Sequence, residues 1–247
     1  MASNGKTAII TGANRGIGLA TFKKLNSNGY NVAVCVRSLS ADVEKIVEAP
    51  EFNGQEHRIF NIDLTDKSSI YDCVKSILSW SKTVDVLVNN AGMAHGSLFL
   101  MTPIEDLRQV FEMNFLSQIY LTQLVSKRML RAKSGVIINM ASTAGLLADV
   151  GTLAYGCSKA ALIHGTKIMA SELGRSGIRV NCIAPSVAET DMGKLMDEKS
   201  IALLDQRSAL SGRIKPDEIS DLVLFLISDG AKNISGQVIR IDQGMPF

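Results

Sequence analysis

Lys6-Thr7-Ala8-Ile9-Ile10-Thr11-Gly12-Ala13-Asn14-Arg15-Gly16-Ile17-Gly18 is the stretch that decides the fold. The apolar, β-branched run from Lys6 to Thr11 predicts a buried strand, and a helical stretch follows the glycines to about Asn28. Glycine lets the backbone turn sharply and approach another group closely, while the N–H groups and dipole of a helix start attract negative charge. A strand, a glycine turn and a helix start in that order predict a pyrophosphate site, here spaced G-x-x-x-G-x-G over Gly12, Gly16 and Gly18. Tight turns also take glycine for purely structural reasons; it is the strand-to-helix context that favours a phosphate.

The next strand, Asn31 to Val36, ends at Arg37-Ser38. In dinucleotide folds an acidic residue here binds the ribose 2′-hydroxyl, whereas an arginine accommodates a 2′-phosphate. Val36 and Arg37 offer no carboxylate, and Arg15 adds a second cation in the glycine turn, so NADP(H) is expected over NAD(H). Strands and helices then alternate to the end. Ala41 to Ala49 and Lys67 to Trp80 are expected helices, Glu56 to Ile62 and Val84 to Val88 strands. Asp63-Leu64 follows the third strand, where an adenine edge would lie. Asn89-Asn90-Ala91-Gly92 follows the fourth, a loop whose amides can brace backbone and whose glycine allows close approach to a ligand. One long helix from about Ile104 to Arg131 is expected to carry Leu107, Phe111, Asn114, Phe115, Gln118 and Leu121 along one stripe. Asn114 is out of place there, because an amide on an apolar face costs stability unless it is hydrogen-bonded; a structural bond and a catalytic relay explain it equally well. About seven strands with intervening helices predict an α/β, Rossmann-type doubly wound parallel sheet with helices on both faces. One domain over residues 1–247 is expected, with a substrate loop around 185–212.

Ser142 ends the apolar run Gly135 to Met140, so its hydroxyl is expected at the carboxyl edge of a strand, where open α/β sheets bind ligands. Tyr155 and Lys159 stand at i and i+4 in a segment of helix-permitting residues, which puts both on one helical face. An ammonium close to a phenol stabilises phenolate and is expected to lower the tyrosine pKa toward the working range of a general acid or base. A bare YxxxK also arises by chance.

The rest of the composition narrows the field. The 247 residues are 46% hydrophobic and carry 26 Lys and Arg against 24 Asp and Glu, scattered along the chain, which argues against nucleic-acid or membrane-surface binding. No apolar signal region precedes the first strand and the longest apolar run, Leu222 to Ile227, cannot cross a bilayer, so a cytoplasmic protein is expected. Cys35, Cys73, Cys157 and Cys182 lack CxxC spacing, and His57, His95 and His164 lack ligand spacing, so neither disulfides nor a metal site is expected.

Thr11-Gly12-x-x-x-Gly16-x-Gly18, Asn89-Asn90-Ala91-Gly92, Asn114, Ser142 and Tyr155-x-x-x-Lys159, in that order, resemble the single-domain branch of the short-chain dehydrogenase/reductase family. Within it, Val180-Asn181-x-Ile183-Ala184-Pro185 and Glu189-Thr190-Asp191-Met192 are most similar to the 3-oxoacyl-[acyl-carrier-protein] reductases. The resemblance implies that Tyr155 protonates a substrate carbonyl oxygen, Ser142 hydrogen-bonds that oxygen, Lys159 depresses the tyrosine pKa and binds the nicotinamide ribose, and Asn114 anchors a water. It also implies that Gly12, Asn14, Arg15, Gly16, Ile17 and Gly18 hold the pyrophosphate and that Asp63 and Leu64 meet the adenine. Asn90, Ala91 and Gly92 would meet the ribose, and Pro185, Ala188 and Thr190 the carboxamide end. A homotetramer and a small-molecule or thioester substrate, with an acyl carrier protein as a partner, complete the expectation.

Departures bear on that expectation. Ser186 follows Pro185 where the family usually has glycine, and Gln243 replaces a usual glycine near the end. Of two basic positions thought to receive an acidic carrier, the first matches Lys127, but the second is Ser171, with Arg175 nearby. That departure speaks against acyl-carrier docking and leaves a coenzyme A thioester or another small carbonyl compound open as substrate; a dehydrogenase of a small alcohol, sugar or polyol is the alternative enzyme, and a nucleotide-sensing binding protein is the non-enzymatic one.

Overall fold

The computed structural model describes residues 5–39, 41–48, 55–193, 202 and 206–246. Seven strands form one sheet: β1 (Thr7–Thr11), β2 (Asn31–Val36), β3 (His57–Asn61), β4 (Val86–Asn89), β5 (Gly135–Met140), β6 (Ile178–Pro185) and β7 (Val238–Ile241). Their order is β3-β2-β1-β4-β5-β6-β7 and every pairing is parallel. The chain winds outward from β1 to β3, then returns to place β4 on the other side of β1. That reversal opens a crevice beyond the carboxyl ends of β1 and β4, the place where open parallel sheets take ligands.

Both sheet faces are covered, which is why the strands read as continuous apolar runs rather than alternating ones. Successive residues of β1 feed two cores. Ala8 and Ile10 pack with Phe22 and Leu25 of α1 (Gly16–Ser27), and with Val223 and Leu226 of a helix near the C-terminus. Ile9 points the other way, toward Ile70, Val74 and Ile77 of α3 (Lys67–Trp80) and Leu121, Val125 and Met129 further along. Asp66 starts α3 by accepting the Ser68 N–H at 2.8 Å, a side-chain cap for one of the unpaired donors of the first turn. The remaining helices are α2 (Ala41–Glu48), α4 (Ile104–Phe111), α5 (Ser117–Ala132), α6 (Leu153–Leu173) and α7 (Pro216–Ile227).

Three expectations need correction. The fourth strand begins at Val86 rather than Val84; Asp85 stands just before it, its N–H donating to Thr7 O at 2.9 Å and its carboxylate accepting the Thr7 N–H at 2.8 Å. The long helix from Ile104 is not uniformly α: Glu112 to Leu116 form a π turn between α4 and α5, one residue wider than the α repeat. The stripe shifts accordingly. Val110 and Asn114 are buried before and within the π turn, and Ser117, Gln118, Leu121 and Thr122 after it, while Leu107, Phe111 and Phe115 are half-buried. Residue 49 of the second expected helix and residues 194–201 and 203–205 of the expected substrate loop lie outside the described residues.

Candidate active site

Thr11, the last residue of β1, builds the crevice first. Its hydroxyl accepts the N–H groups of Asn90 and Ala91, both at 3.0 Å, and donates to Val88 O at 3.4 Å. The Asn90 amide answers by donating to Thr11 O at 2.9 Å and Gly12 O at 3.2 Å. The glycine turn and the loop after β4 are thereby locked together. A Cβ on Gly12 would stand 2.9 Å from Ala91 Cα, and one on Gly18 would stand 2.2 Å from Gly12 O, so both glycines are required by this packing. Gly16 has φ +53°, and Thr190 Cγ2 would lie 3.1 Å from its Cβ.

The turn is suited to an anion. No side chain caps the start of α1 and no acidic residue enters its first turn, so no negative charge there offsets the positive end of the helix dipole. Arg15 is 75% exposed and pairs with Asp191 at 3.4 Å, an exposed ion pair of small net worth. Arg37 lies exposed just past β2. Asp63 is held below the usual carboxylate range by the Thr65 hydroxyl first, then by the Thr65 N–H, with Arg37 adding to the effect. Leu64 is buried in the core, and its carbonyl accepts the Ser117 hydroxyl. Asn14 is half-buried and Ile17 partly so at the turn; Pro185 ends β6, and Ala188 is buried against Ile214.

The chemistry gathers at the end of β5. Ser142 stands just beyond the strand, accepting the Ala144 N–H at 3.2 Å, and hydrogen-bonds the Tyr155 phenol. Tyr155 and Lys159 lie one turn apart in α6, as their spacing requires. The Lys159 ammonium donates to Met140 O at 2.8 Å and lies 5.8 Å from the centre of the Tyr155 ring. It is buried, and burial lowers its pKa to about 8. Burial also raises the Tyr155 pKa, which the Ser142 hydrogen bond opposes. The expected depression of that pKa by Lys159 is therefore corrected: desolvation outweighs the Ser142 hydrogen bond, and the ammonium makes its own bond to the β5 carbonyl.

Asn114 sits in the π turn with its amide used at both ends. Its Oδ1 accepts the Met93 N–H at 2.8 Å, and its Nδ2 donates to Met93 O at 2.9 Å and to Ser158 Oγ at 3.1 Å. Ser158 in turn donates to Tyr155 O at 2.7 Å, so Asn114 connects the loop after β4 to the Tyr155 turn of α6. A Cβ on Gly92 would lie 3.0 Å from Asn114 Oδ1 and 3.3 Å from Lys159 Nζ, so a side chain there would crowd both polar groups.

Three partners here were not singled out from the sequence: the Met140 carbonyl, the Met93 backbone and Ser158. Backbone groups carry no sequence signal, but Ser158, beside Lys159 on a helix, does. Gln118, a member of the expected apolar stripe, donates to Ala91 O and so holds the same loop. Cys182 is buried near Lys159, with its thiol pushed up to about 12 by burial, and Cys157 is exposed. Among the described residues no cluster suits a metal ion, and no helix is long and apolar enough to cross a membrane.

Comparison with known proteins agrees with this geometry. The short chain dehydrogenase family model matches residues 6–200. A 3-oxoacyl-[acyl-carrier-protein] reductase of Synechocystis is 34% identical over 97% of this chain and 96% of its own, and one from Staphylococcus epidermidis is 35% identical over 97% and 98%. Among solved structures, a 7α-hydroxysteroid dehydrogenase complexed with NADH and 7-oxo glycochenodeoxycholic acid superposes with a TM-score of 0.92. It is 32% identical, covering 99% of this chain and 95% of its own. The chain belongs to the short-chain dehydrogenase family and is an NAD(P)-dependent oxidoreductase acting on alcohol and carbonyl groups.

Proposed function

We propose that the protein reduces a 3-oxoacyl thioester to its 3-hydroxyacyl form with NADPH, the acyl group being borne on an acyl carrier protein or coenzyme A. The observation behind this reading is the meeting of Ser142, Tyr155 and Lys159 at the end of β5, beside the Asn90–Gly92 loop. The 3-oxoacyl-[acyl-carrier-protein] reductases among its relatives supply the substrate class.

The uncapped glycine turn from Gly12 through Asn14, Arg15, Gly16 and Ile17 to Gly18 would hold the cofactor pyrophosphate. Asp63 and the Leu64 backbone would meet its adenine, Asn90 to Gly92 and Lys159 its nicotinamide ribose, and Pro185, Ala188 and Thr190 its carboxamide. Arg37, with Arg15 released from its exposed pair, would receive a 2′-phosphate, which is the basis for NADPH over NADH. When bound, the nicotinamide supplies a hydride to the carbonyl carbon. Ser142 orients the carbonyl oxygen, and Tyr155 gives that oxygen its phenolic proton. A pKa raised by burial keeps the proton on Tyr155 at neutral pH, which suits the reductive direction. Lys159 places positive charge beside the phenolate left behind, and Asn114 fixes the loop and helix between which this happens.

Carrier docking would use Lys127 and Arg175, both exposed, with Ser171 between them in sequence and uncharged. Assembly as a homotetramer is supported by exposed Leu116 and Leu130 at the ends of α5 and Ile168 on α6. A cytoplasmic location goes with this reading. The test is steady-state turnover of acetoacetyl thioesters with NADPH and NADH titrated separately, beside a panel of ketones, sugars, polyols and bile acids. Turnover of the thioesters at least tenfold more efficient with NADPH is expected; turnover confined to the other compounds would overturn the substrate class. A small-alcohol dehydrogenase is the second reading, favoured by the close fold match to the steroid dehydrogenase.

A further inference from the structure

The segment from Asn114 to Gln118, where the π turn gives way to α5, holds the loop after β3 as well as the loop after β4. Asn114 takes the Met93 backbone and Gln118 the Ala91 carbonyl, so two of its side chains serve the loop after β4. Ser117 serves the other. Its hydroxyl donates to Leu64 O, and Glu112 Oε1 stands 3.4 Å away as a longer alternative acceptor. Ser117 is 1% exposed and Leu64 5%, so water does not compete for this bond.

The bond matters because of what lies across the same peptide. Leu64 O and Thr65 N belong to one planar amide. Its N–H donates to Asp63 Oδ1 at 2.9 Å, and the Thr65 hydroxyl donates to the same oxygen at 2.6 Å. A donor on the carbonyl polarises an amide and makes its N–H a stronger donor, so Ser117, the Leu64–Thr65 amide and the Asp63 carboxylate form one aligned chain. The amide cannot tilt without losing a bond at one end. On the near side, the Asp63 N–H is fixed by the Ser69 hydroxyl, which accepts it at 2.9 Å. Among the described residues both hydrogen bonds to the Asp63 carboxylate fall on Oδ1, which leaves Oδ2 for an outside donor. The 6-amino group of adenine is such a donor.

We infer that Ser117 is a positioning residue for the adenine end of the cofactor: its buried hydroxyl fixes the Leu64–Thr65 amide and, through it, the Asp63 carboxylate that takes the adenine 6-amino group. The inference rests on the proposed placement of adenine at Asp63. Its test is a ratio of dissociation constants, measured by titrating the protein with NADPH and with the hypoxanthine analogue, in which a carbonyl replaces the 6-amino group and the rest of the cofactor is kept. The parent should prefer NADPH by about tenfold or more, as one hydrogen bond to a charged group implies. Ser117→Ala, and Ser117→Cys, whose thiol donates only weakly, should each cut that preference by about threefold or more. Asp63→Ala should bring the ratio close to one, and adding Ser117→Ala to it should change the ratio no further, because the two residues act through one chain. A hydroxyl that only steadied the fold would weaken both dinucleotides alike or neither. An unchanged ratio in the Ser117 variants, beside a collapsed one in Asp63→Ala, therefore overturns the inference. If Asp63→Ala itself keeps the parent ratio, adenine lies elsewhere, and the proposed placement falls first and takes the inference with it.

Discussion

At the scale of single residues, the site combines two groups whose burial moves them in opposite directions: Tyr155 upward, Lys159 down to about 8. Tyr155→Phe removes the proton donor and its hydrogen bond with Ser142, so kcat should fall by about 10²- to 10⁴-fold while NADPH quenches protein fluorescence as before. Lysine in an unfolded chain titrates near 10.4, whereas Lys159 in the fold titrates at about 8. The unfolded state thus binds more protons between those values, and stability rises with pH across that window, by roughly 3 kcal/mol in all; below about 8 the full cost of a buried charge is present. Lys159→Met should accordingly raise the urea-unfolding free energy at pH 7 by about 1–2 kcal/mol, less than the full amount because Met140 O loses its donor, while turnover collapses. In the parent enzyme, reductive turnover should decline as pH rises through about 8, read from a kcat profile. That Tyr155 and Lys159 share a helical face followed from their spacing, and the family resemblance pointed to Ser142 and Asn114 beside them. The direction of the Tyr155 shift was not legible, since it depends on how much of the ring the surrounding chain covers and on which acceptor Lys159 finds.

Between elements, β5 and α6 are joined twice. Lys159 reaches Met140 O, and two helical turns later Thr166 Oγ1 accepts the Asn139 amide at 2.8 Å while donating to Leu162 O at 2.8 Å. Asn139 also accepts from Asn89 at 2.8 Å, and Asn89 donates to Thr122 at 2.8 Å, so one buried polar row crosses from α5 through β4 and β5 to α6. Thr166→Val would strand the Asn139 N–H in a dry interior and should cost about 1–3 kcal/mol in urea unfolding, whereas Thr166→Ser, which keeps the hydroxyl, should cost less than half as much. This row was not readable beforehand: Asn89, Thr122, Asn139 and Thr166 lie in four different elements, and only the sheet order brings them into line. The π turn was hidden for a different reason. Leu107, Phe111 and Leu121 satisfy an α stripe well enough that one extra residue leaves no gap, and the misplaced Asn114 was its only trace.

For the molecule as a whole, the reversal of strand order between β1 and β4 sets where a ligand binds, and the alternating pattern of strands and helices was sufficient to foresee that a reversal existed. Cofactor binding should stabilise the folded state by mass action: NADPH at a hundred times its dissociation constant should add about 2.7 kcal/mol to the unfolding free energy, with NADH at the same concentration adding less, a comparison made by thermal unfolding. Substituting Arg37→Asp should bring the two shifts level or invert them, since a carboxylate there repels a 2′-phosphate and accepts a 2′-hydroxyl. The pairing of α1 with α7 has a bearing on biosynthesis. Phe22 and Leu25 leave the ribosome early, yet Val223 and Leu226, which cover them, emerge about 200 residues later. A nascent chain therefore holds its phosphate turn on a half-covered helix until translation is nearly finished, so premature termination before Pro216 would deliver a polypeptide that chaperones retain and nucleotide does not rescue.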